Sequence, residues 1–244
     1  MTDYHVVSFS GGKDSTAMLL RMFELGYPVD EVLFCDTGCE FPEMYKHIDK
    51  VNNIVERYLG KKITILKAEH SFEYMLLEYK FNPRPKEGIV KPHAIGRSWA
   101  TMRTRWCTKY FKVDLIKRHL RGIDADIHQY VGIAADEPNR IRELNYPLVS
   151  WGWREVDCLS YCYKKGLDWG GLYNKYKRLS CWCCPLQSLN DLRTLRHEYP
   201  ELWRKLLEWE HRAWSNFRAD YSVDELDARF AHEDDNEKML VRLF

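Results

Sequence analysis

The chain has 244 residues, a formal net charge of +1 and a hydrophobic share of 45%, enough apolar material for one large α/β domain or one domain with a helical appendage. No apolar run approaches the ~20 residues that span a bilayer, and the start MTDYHVV lacks the basic and hydrophobic regions of a secretory leader, which predicts a cytoplasmic protein with no membrane partner. In such a chain eight cysteines read as reduced thiols, metal ligands or redox groups rather than a disulfide framework.

Alternating apolar residues from Tyr4 to Phe9 predict a first strand, and the run from Ser15 to Leu25 sets Met18, Leu19, Met22 and Phe23 on one face of a helix. SGGKDS joins them. Gly11 and Gly12 let the backbone turn sharply and bring its amides close to a ligand, while the following helix aims its unpaired N–H groups and positive dipole end at the same place. That geometry suits a phosphate. Lys13 adds a movable positive charge, Ser10 and Ser15 add hydroxyls, and Asp14 adds a carboxylate able to hold Mg²⁺ or cap the helix. The spacing fits neither GxxxxGK[ST] nor GxGxxG.

Glu31–Cys35 reads as a second, buried strand ending in Asp36 and Thr37, which in an open parallel sheet lie beside SGGKDS. A helix opened by Phe41-Pro42-Glu43 runs to Leu59 with Gly60 as its stop, KITILKA forms a third strand, and SFEYMLLEY a short helix capped by Ser71. FNPRPKEGIVKPHAIG, with three prolines and two glycines, is an irregular loop. From Lys80 to Arg121 twelve Lys or Arg face two acids, Glu87 and Asp114. Such a strip attracts polyanions, and Phe81, His93, Trp99, Trp106, Tyr110 and Phe111 among the cations offer base-stacking surfaces or core. Within it, Cys107 is flanked by Arg103, Arg105, Lys109 and Lys112, which predicts a lowered thiol pKa. HQYVGIAADEPNRI continues as a strand, and YPLVSWGWREVD leads into a helix with Cys158 and Cys162 on one face. In RLSCWCCPLQS, Cys181 and Cys184 have C-x-x-C metal spacing, with Cys107 as a third ligand and Cys183, Cys158 or Cys162 as the fourth. The remainder is helical, with Leu192, Leu195, Tyr199, Leu202 or Trp203, Leu206 and Trp209 as core, and ends in an acidic stretch placed either on the basic strip or against a partner protein.

Five stretches carry a resemblance. SGGKDS resembles the SGGxDS pyrophosphate loop of the adenine-nucleotide alpha-hydrolase superfamily, whose members split ATP between the α and β phosphates. DTGCEFPE is similar to the DTG-x-x-FPET stretch of phosphoadenylyl-sulfate (PAPS) reductase-like proteins. Arg105, Cys107, Thr108 and Lys112 match that family's R-x-C-T-x-x-x-K, and Gly132, Glu137 and Arg140 match its G-I-R-x-x-E-S-x-x-R element, with Ala134 where the family has Arg and Pro138 where it has Ser. YPLVSWGWREVD resembles a further family stretch.

The resemblance implies an open, mostly parallel twisted α/β sheet with helices on both faces, a family domain over residues 1–185, and a helical extension over 186–244 packed on it. It implies ATP and Mg²⁺ at Ser10, Gly11, Gly12, Lys13, Asp14, Ser15, Asp36, Thr37, Gly132 and Arg140, with Lys13, Asp14, Arg105 and Cys107 as the catalytic groups. It also implies a [4Fe–4S] cluster, with zinc as the alternative, on Cys107, Cys181 and Cys184. Reductases of the family use a cysteine in a C-terminal E-C-G-x-H motif, and this sequence has none after Cys184. The expected function is therefore adenylation of a nucleic acid for sulfur transfer, DNA phosphorothioation ahead of tRNA thiolation, with a cysteine desulfurase as sulfur donor and a homo-oligomer as the possible assembly. Reduction of adenylyl sulfates is the first alternative, and a nucleotide-binding scaffold for the desulfurase the second.

Overall fold

A computed structural model describes residues 2–81 and 94–241, so most of the proline-rich loop expected over 81–96, His93 included, lies outside the described residues. Strands β1 (Asp3–Ser8), β2 (Glu31–Asp36), β3 (Thr64–Lys67) and β6 (Asp126–Val131) form one all-parallel sheet in the order β3-β2-β1-β6. The expected open parallel α/β sheet is the observed one. A two-stranded antiparallel pair, β4 (Lys80–Phe81) with β5 (Ala94–Ile95), stands apart from it.

Between the strands lie α1 (Lys13–Glu24), α2 (Pro42–Leu59), α3 (Phe72–Leu77), α4 (Trp106–Thr108) and α5 (Asp114–Leu120). Met18, Leu19 and Met22 of α1 are fully buried, as their helical spacing requires, and Phe23 stacks on Tyr58. Gly60 ends α2 at φ 68°, a left-handed conformation that a side chain would strain, and the Ser71 hydroxyl accepts the Tyr74 N–H to cap α3. A single π turn, Lys109–Val113, interrupts the helix between α4 and α5. Right-handed crossovers put α1 and α2 on one face of the sheet and α5 on the other. Strand order reverses beside β1, so the segments leaving β1 and β6 flank a switch point at the sheet's carboxyl edge, where open α/β folds bind ligands.

The remaining helices are α6 (Pro147–Ser150), α7 (Glu155–Lys164), α8 (Leu172–Lys175), α9 (Leu189–Glu198), α10 (Pro200–Arg212) and α11 (Val223–Val241). The chain divides into two compact units: residues 1–68 with 108–174, and residues 69–107 with 175–244. The C-terminal segment beyond residue 185 thus shares its unit with 69–107. Pro200 splits the expected single helical run into α9 and α10, because it lacks the N–H that a continuing helix needs. Leu192, Leu195, Trp203, Leu206 and Trp209 are buried there, and Trp209 packs against Trp182 and Phe72. The acids of α11 pair with α9: Glu233 with Arg193, and Asp227 and Asp234 with Arg196. These pairings, and not the basic strip, account for its acidity among the described residues.

Candidate active site

β1 delivers the chain into Ser10-Gly11-Gly12, and α1 begins at Lys13. Gly11 has φ +80°, and a Cβ there would come within 2.7 Å of the Met44 sulfur, so side-chain-free backbone is required twice over. The Ser15 hydroxyl closes the turn: it accepts from the Ser10 N–H at 3.1 Å and donates to the Gly12 carbonyl at 3.1 Å. The Lys13 N–H, a first-turn amide with no intrahelical acceptor, donates to Tyr173 Oη at 2.8 Å. Trp169 Nε1 donates to the Gly11 carbonyl at 2.7 Å, and its ring stacks on His47, whose Nε2 lies 3.0 Å from Thr16 Oγ1 on α1. Trp169, Gly170 and Gly171 all have positive φ, so a strained turn presents this indole. Burial pulls the His47 pKa down to about 3, with Lys50 adding repulsion, and the ring is neutral at physiological pH.

Gly132, just past β6, supports the loop from the other side. A Cβ on it would lie 2.6 Å from Ser15 Cα and 2.7 Å from Ser15 N. Only glycine lets β6 approach the start of α1 this closely. Ala134, in place of the family's arginine, is fully buried.

Lys13 is buried, with its ammonium 3.0 Å from Asp14 and 3.0 Å from Glu155 at the start of α7. Burial alone lowers its pKa, but the two carboxylates outweigh that and the net shift is upward. The Asp14 pKa is raised, by burial first, against the pull of Lys13 and with Glu155 and Glu137 adding like charge. Asp14, Glu137 and Glu155 each bring an oxygen within 4.8 Å of the others. Three crowded carboxylates with one ammonium suit a hard divalent cation such as Mg²⁺. Arg140 binds both Glu137 oxygens, at 2.7 and 2.6 Å, and so orients that carboxylate.

Register Ser8↔Leu33 sets Asp36 and Thr37 level with the loop. Asp36 accepts from the Gly38 N–H and from Tyr45 Oη, both at 2.9 Å, and the Thr37 hydroxyl accepts the Cys39 N–H. Unit 1 therefore gathers Ser10 to Ser15, Asp36, Thr37, Gly132 and Arg140. Sequence reading missed Tyr173, Trp169, His47 and Glu155, which meet the loop only through the tertiary fold. Trp169-Gly170-Gly171 is the one local signal that marked an unusual turn.

The eight cysteines form no disulfide; Cys35 and Cys39 are buried at the end of β2 and just beyond it, and the other six fall into two environments. Cys158 and Cys162 are fully buried beneath the loop, and Cys162 Sγ donates to the Lys13 carbonyl at 3.6 Å. Burial, reinforced by Asp14, raises both pKa values, that of Cys162 to about 12. In unit 2, Cys181 and Cys184 close a tight turn through Cys184 N–H to the Cys181 carbonyl at 3.1 Å, with Cys183 buried and the other two half-buried. Burial raises the Cys184 pKa; Cys107 raises it further, whereas Arg105 and Arg178 lower it. Cys107, Cys181 and Cys184 share unit 2 and have the donor chemistry of a thiolate-bound metal or cluster, and Cys158, Cys162 and Cys183 are buried. The groups that converge within 4.8 Å among the described residues contain no cysteine.

In the basic strip Arg103, Arg105, Lys109, Lys117, Arg118 and Arg121 are exposed. Trp99 and Phe111 are buried, and Trp106 stacks on Phe72 and donates to the Ser98 carbonyl, so these rings belong to the core rather than to a stacking surface.

A family model described as the phosphoadenosine phosphosulfate reductase domain matches residues 4–187. An uncharacterized protein of Methanocaldococcus jannaschii is 29% identical over 222 residues, covering 84% of this chain and 40% of that protein. A second one from the same organism is 27% identical over 218 residues, covering 82% and 46%. The chain spans less than half the length of these two relatives. An adenosine 5′-phosphosulfate reductase of a Geobacillus species is 27% identical over 197 residues, covering 73% of each chain. Among the described residues no helix is long and apolar enough to cross a membrane.

Proposed function

Since the chain belongs to the phosphoadenosine phosphosulfate reductase domain family, a family of enzymes of the PP-loop superfamily, we propose that it cleaves ATP between the α and β phosphates and adenylates a nucleic acid for sulfur transfer. One observation carries this reading: a two-glycine turn at the sheet's switch point opens α1 with a buried lysine and stands beside three carboxylates.

In the proposed reaction an oxygen of the acceptor attacks the α-phosphorus, the bond to the bridging αβ oxygen breaks, and pyrophosphate leaves with the electron pair. The terminal sulfur of a cysteine desulfurase persulfide then attacks the adenylated atom and AMP leaves with the electron pair; a second thiol cleaves the S–S bond of the resulting mixed disulfide, which leaves one sulfur on the acceptor and a disulfide between the two thiols. The Gly11–Gly12 backbone and the Lys13 ammonium bind the departing pyrophosphate, while the Ser10 and Lys13 amides, bonded to Ser15 and Tyr173, and the paired Ser10 and Ser15 hydroxyls hold the loop in the receiving shape. Asp36 and Thr37 border the nucleotide and Arg140 holds Glu137 in place. Asp14, Glu137 and Glu155 would hold Mg²⁺, which when bound neutralises charge on the phosphates. Cys107, Cys181 and Cys184 would hold a [4Fe–4S] cluster or zinc, which when bound supplies a redox or Lewis-acid centre, with Arg105 beside it. The exposed cations of the basic strip favour a nucleic-acid acceptor, and the resemblance of the motif set to the DNA phosphorothioation branch puts DNA ahead of tRNA.

Reduction of adenylyl sulfate is the second reading, favoured by the Geobacillus relative. Pyrophosphate release from ATP, with and without DNA or tRNA, tests the first reading. Sulfite formed from adenylyl sulfate and thioredoxin, with no pyrophosphate from ATP, would replace it with the second.

A further inference from the structure

We infer that Asp3, His5 and His128 form a divalent transition-metal site of the zinc class, at the end of the sheet opposite the phosphate loop. β1 and β6 run parallel with His5 directly opposite His128, so the two imidazoles leave the same face of the sheet. Asp3 and Tyr130 lie two residues from His5 and His128 along their strands, and strand alternation puts them on that face as well. The rings stack at 4.8 Å with 16° between their planes, and one ligand atom from each of Asp3, His5 and His128 lies within 4.8 Å of the others. Five residues at ~3.3 Å per residue separate His5 from Ser10, so the cluster is independent of the ATP site.

Tyr130 already orients the His5 ring, and the pairing of His128 with Asp3 brings two of the three ligand groups together. His5 Nδ1 lies 2.9 Å from Tyr130 Oη, and His128 Nε2 lies 2.9 Å from Asp3 Oδ1. With Nδ1–H donated to the tyrosine, the His5 lone pair is carried on Nε2. The backbone beneath is pinned, because the His5 N–H donates to Asp30 at 2.7 Å. Both histidines are half-buried and Asp3 is exposed, so an ion reaches the site directly from solvent. Two imidazoles and one carboxylate select zinc, cobalt or nickel over magnesium or calcium, which require oxygen donors, and leave a fourth position for water.

Histidine-selective ¹H–¹⁵N NMR of the full chain during Zn²⁺ addition is the direct test. The His5 and His128 ring nitrogens are expected to shift together in one saturable step, with the exposed His197 and His211 unmoved. Zn²⁺ should also raise Tm, and Cys181→Ser with Cys184→Ser should leave the histidine shifts intact. Tyr130→Phe should weaken binding by the ~10–100-fold typical of a lost outer partner, and His128→Gln by more. If excess Zn²⁺ moves neither ring in the unaltered protein, or moves all exposed histidines alike, the site does not exist. That measurement needs no variant to fold, and it stands or falls separately from ATP cleavage.

Discussion

Cys162 and Cys184 carry the same thiol in opposite surroundings. Cys162 lies sealed beneath α1, hydrogen-bonded to the Lys13 carbonyl, and its pKa is pushed up to about 12 by burial and then by Asp14. Cys184 is half-buried in a tight turn, and although burial raises its pKa too, Arg105 and Arg178 pull the other way. The first environment keeps every titratable neighbour neutral or paired so that the loop holds its shape; His47 and Cys158 follow the same rule. The second leaves thiols where a metal or an electrophile can reach them. Chemistry by backbone needs inert support, whereas chemistry by thiolate needs access.

Alkylation under native conditions tests that contrast most strongly. At pH 8 iodoacetamide should modify Cys107, Cys181 and Cys184 first, with Cys158 and Cys162 slower by ~10-fold or more, because both are fully buried and burial raises their thiol pKa values, that of Cys162 to about 12. Peptide mapping by mass spectrometry reads the order. Equal rates at Cys162 and Cys184 would erase the distinction between the two regions.

Substitution separates them by function. Lys13→Ala should lower pyrophosphate release from ATP by ~10²-fold, the scale of one lost electrostatic contact to a leaving group. Cys181→Ser with Cys184→Ser should leave that release within about twofold and abolish bound metal, read by elemental analysis. Loss of pyrophosphate release in the cysteine variant would couple the cysteines of unit 2 to the loop of unit 1.

Much of this was legible in the sequence, and the reason is local. SGGKDS between an alternating strand and an amphipathic helix, Gly60 after α2 and Ser71 before α3 each act through neighbours within a few residues. Spacing cannot reveal a clamp such as Trp169, His47 and Tyr173, because these residues lie as far as 160 positions from the loop atoms they bind. The aromatic residues of the basic strip mislead for a related reason: cations nearby in sequence do not decide whether Trp99 and Phe111 face solvent. Nor does composition disclose that residues 69–107 share a unit with the C-terminal helices, since a discontinuous unit leaves no linker to find.

A smaller effect probes how tightly the first region is packed. Gly132→Ala places a methyl 2.6 Å from Ser15 Cα, and because the obstacle is backbone it cannot rotate away. The expected cost is ~1–3 kcal/mol of stability in denaturant titration, accompanied by a raised KM for ATP as the start of α1 shifts. An unchanged denaturation midpoint would mean that β6 and α1 have room to separate.

The smallest effect is a slope with pH. His47 is neutral in the folded protein down to about pH 3, whereas in the unfolded chain it takes up a proton near its ordinary 6.5. The unfolded state therefore binds more protons in that interval, and the stability His47 contributes is complete above pH 6.5 and lost progressively as pH falls toward 3. Ordinary carboxylates titrate at ~4, so from about pH 6.5 to 5 the difference in slope between the protein and a His47 variant belongs to this ring, on the order of 1 kcal/mol per pH unit. Urea titrations across that interval measure it. His47→Gln forfeits the stack on Trp169 and should be less stable throughout, but its slope should flatten because the amide does not titrate. A slope that persists in the variant would assign the acid sensitivity elsewhere, and the inert support beneath the phosphate loop would then not depend on a neutral ring at this position.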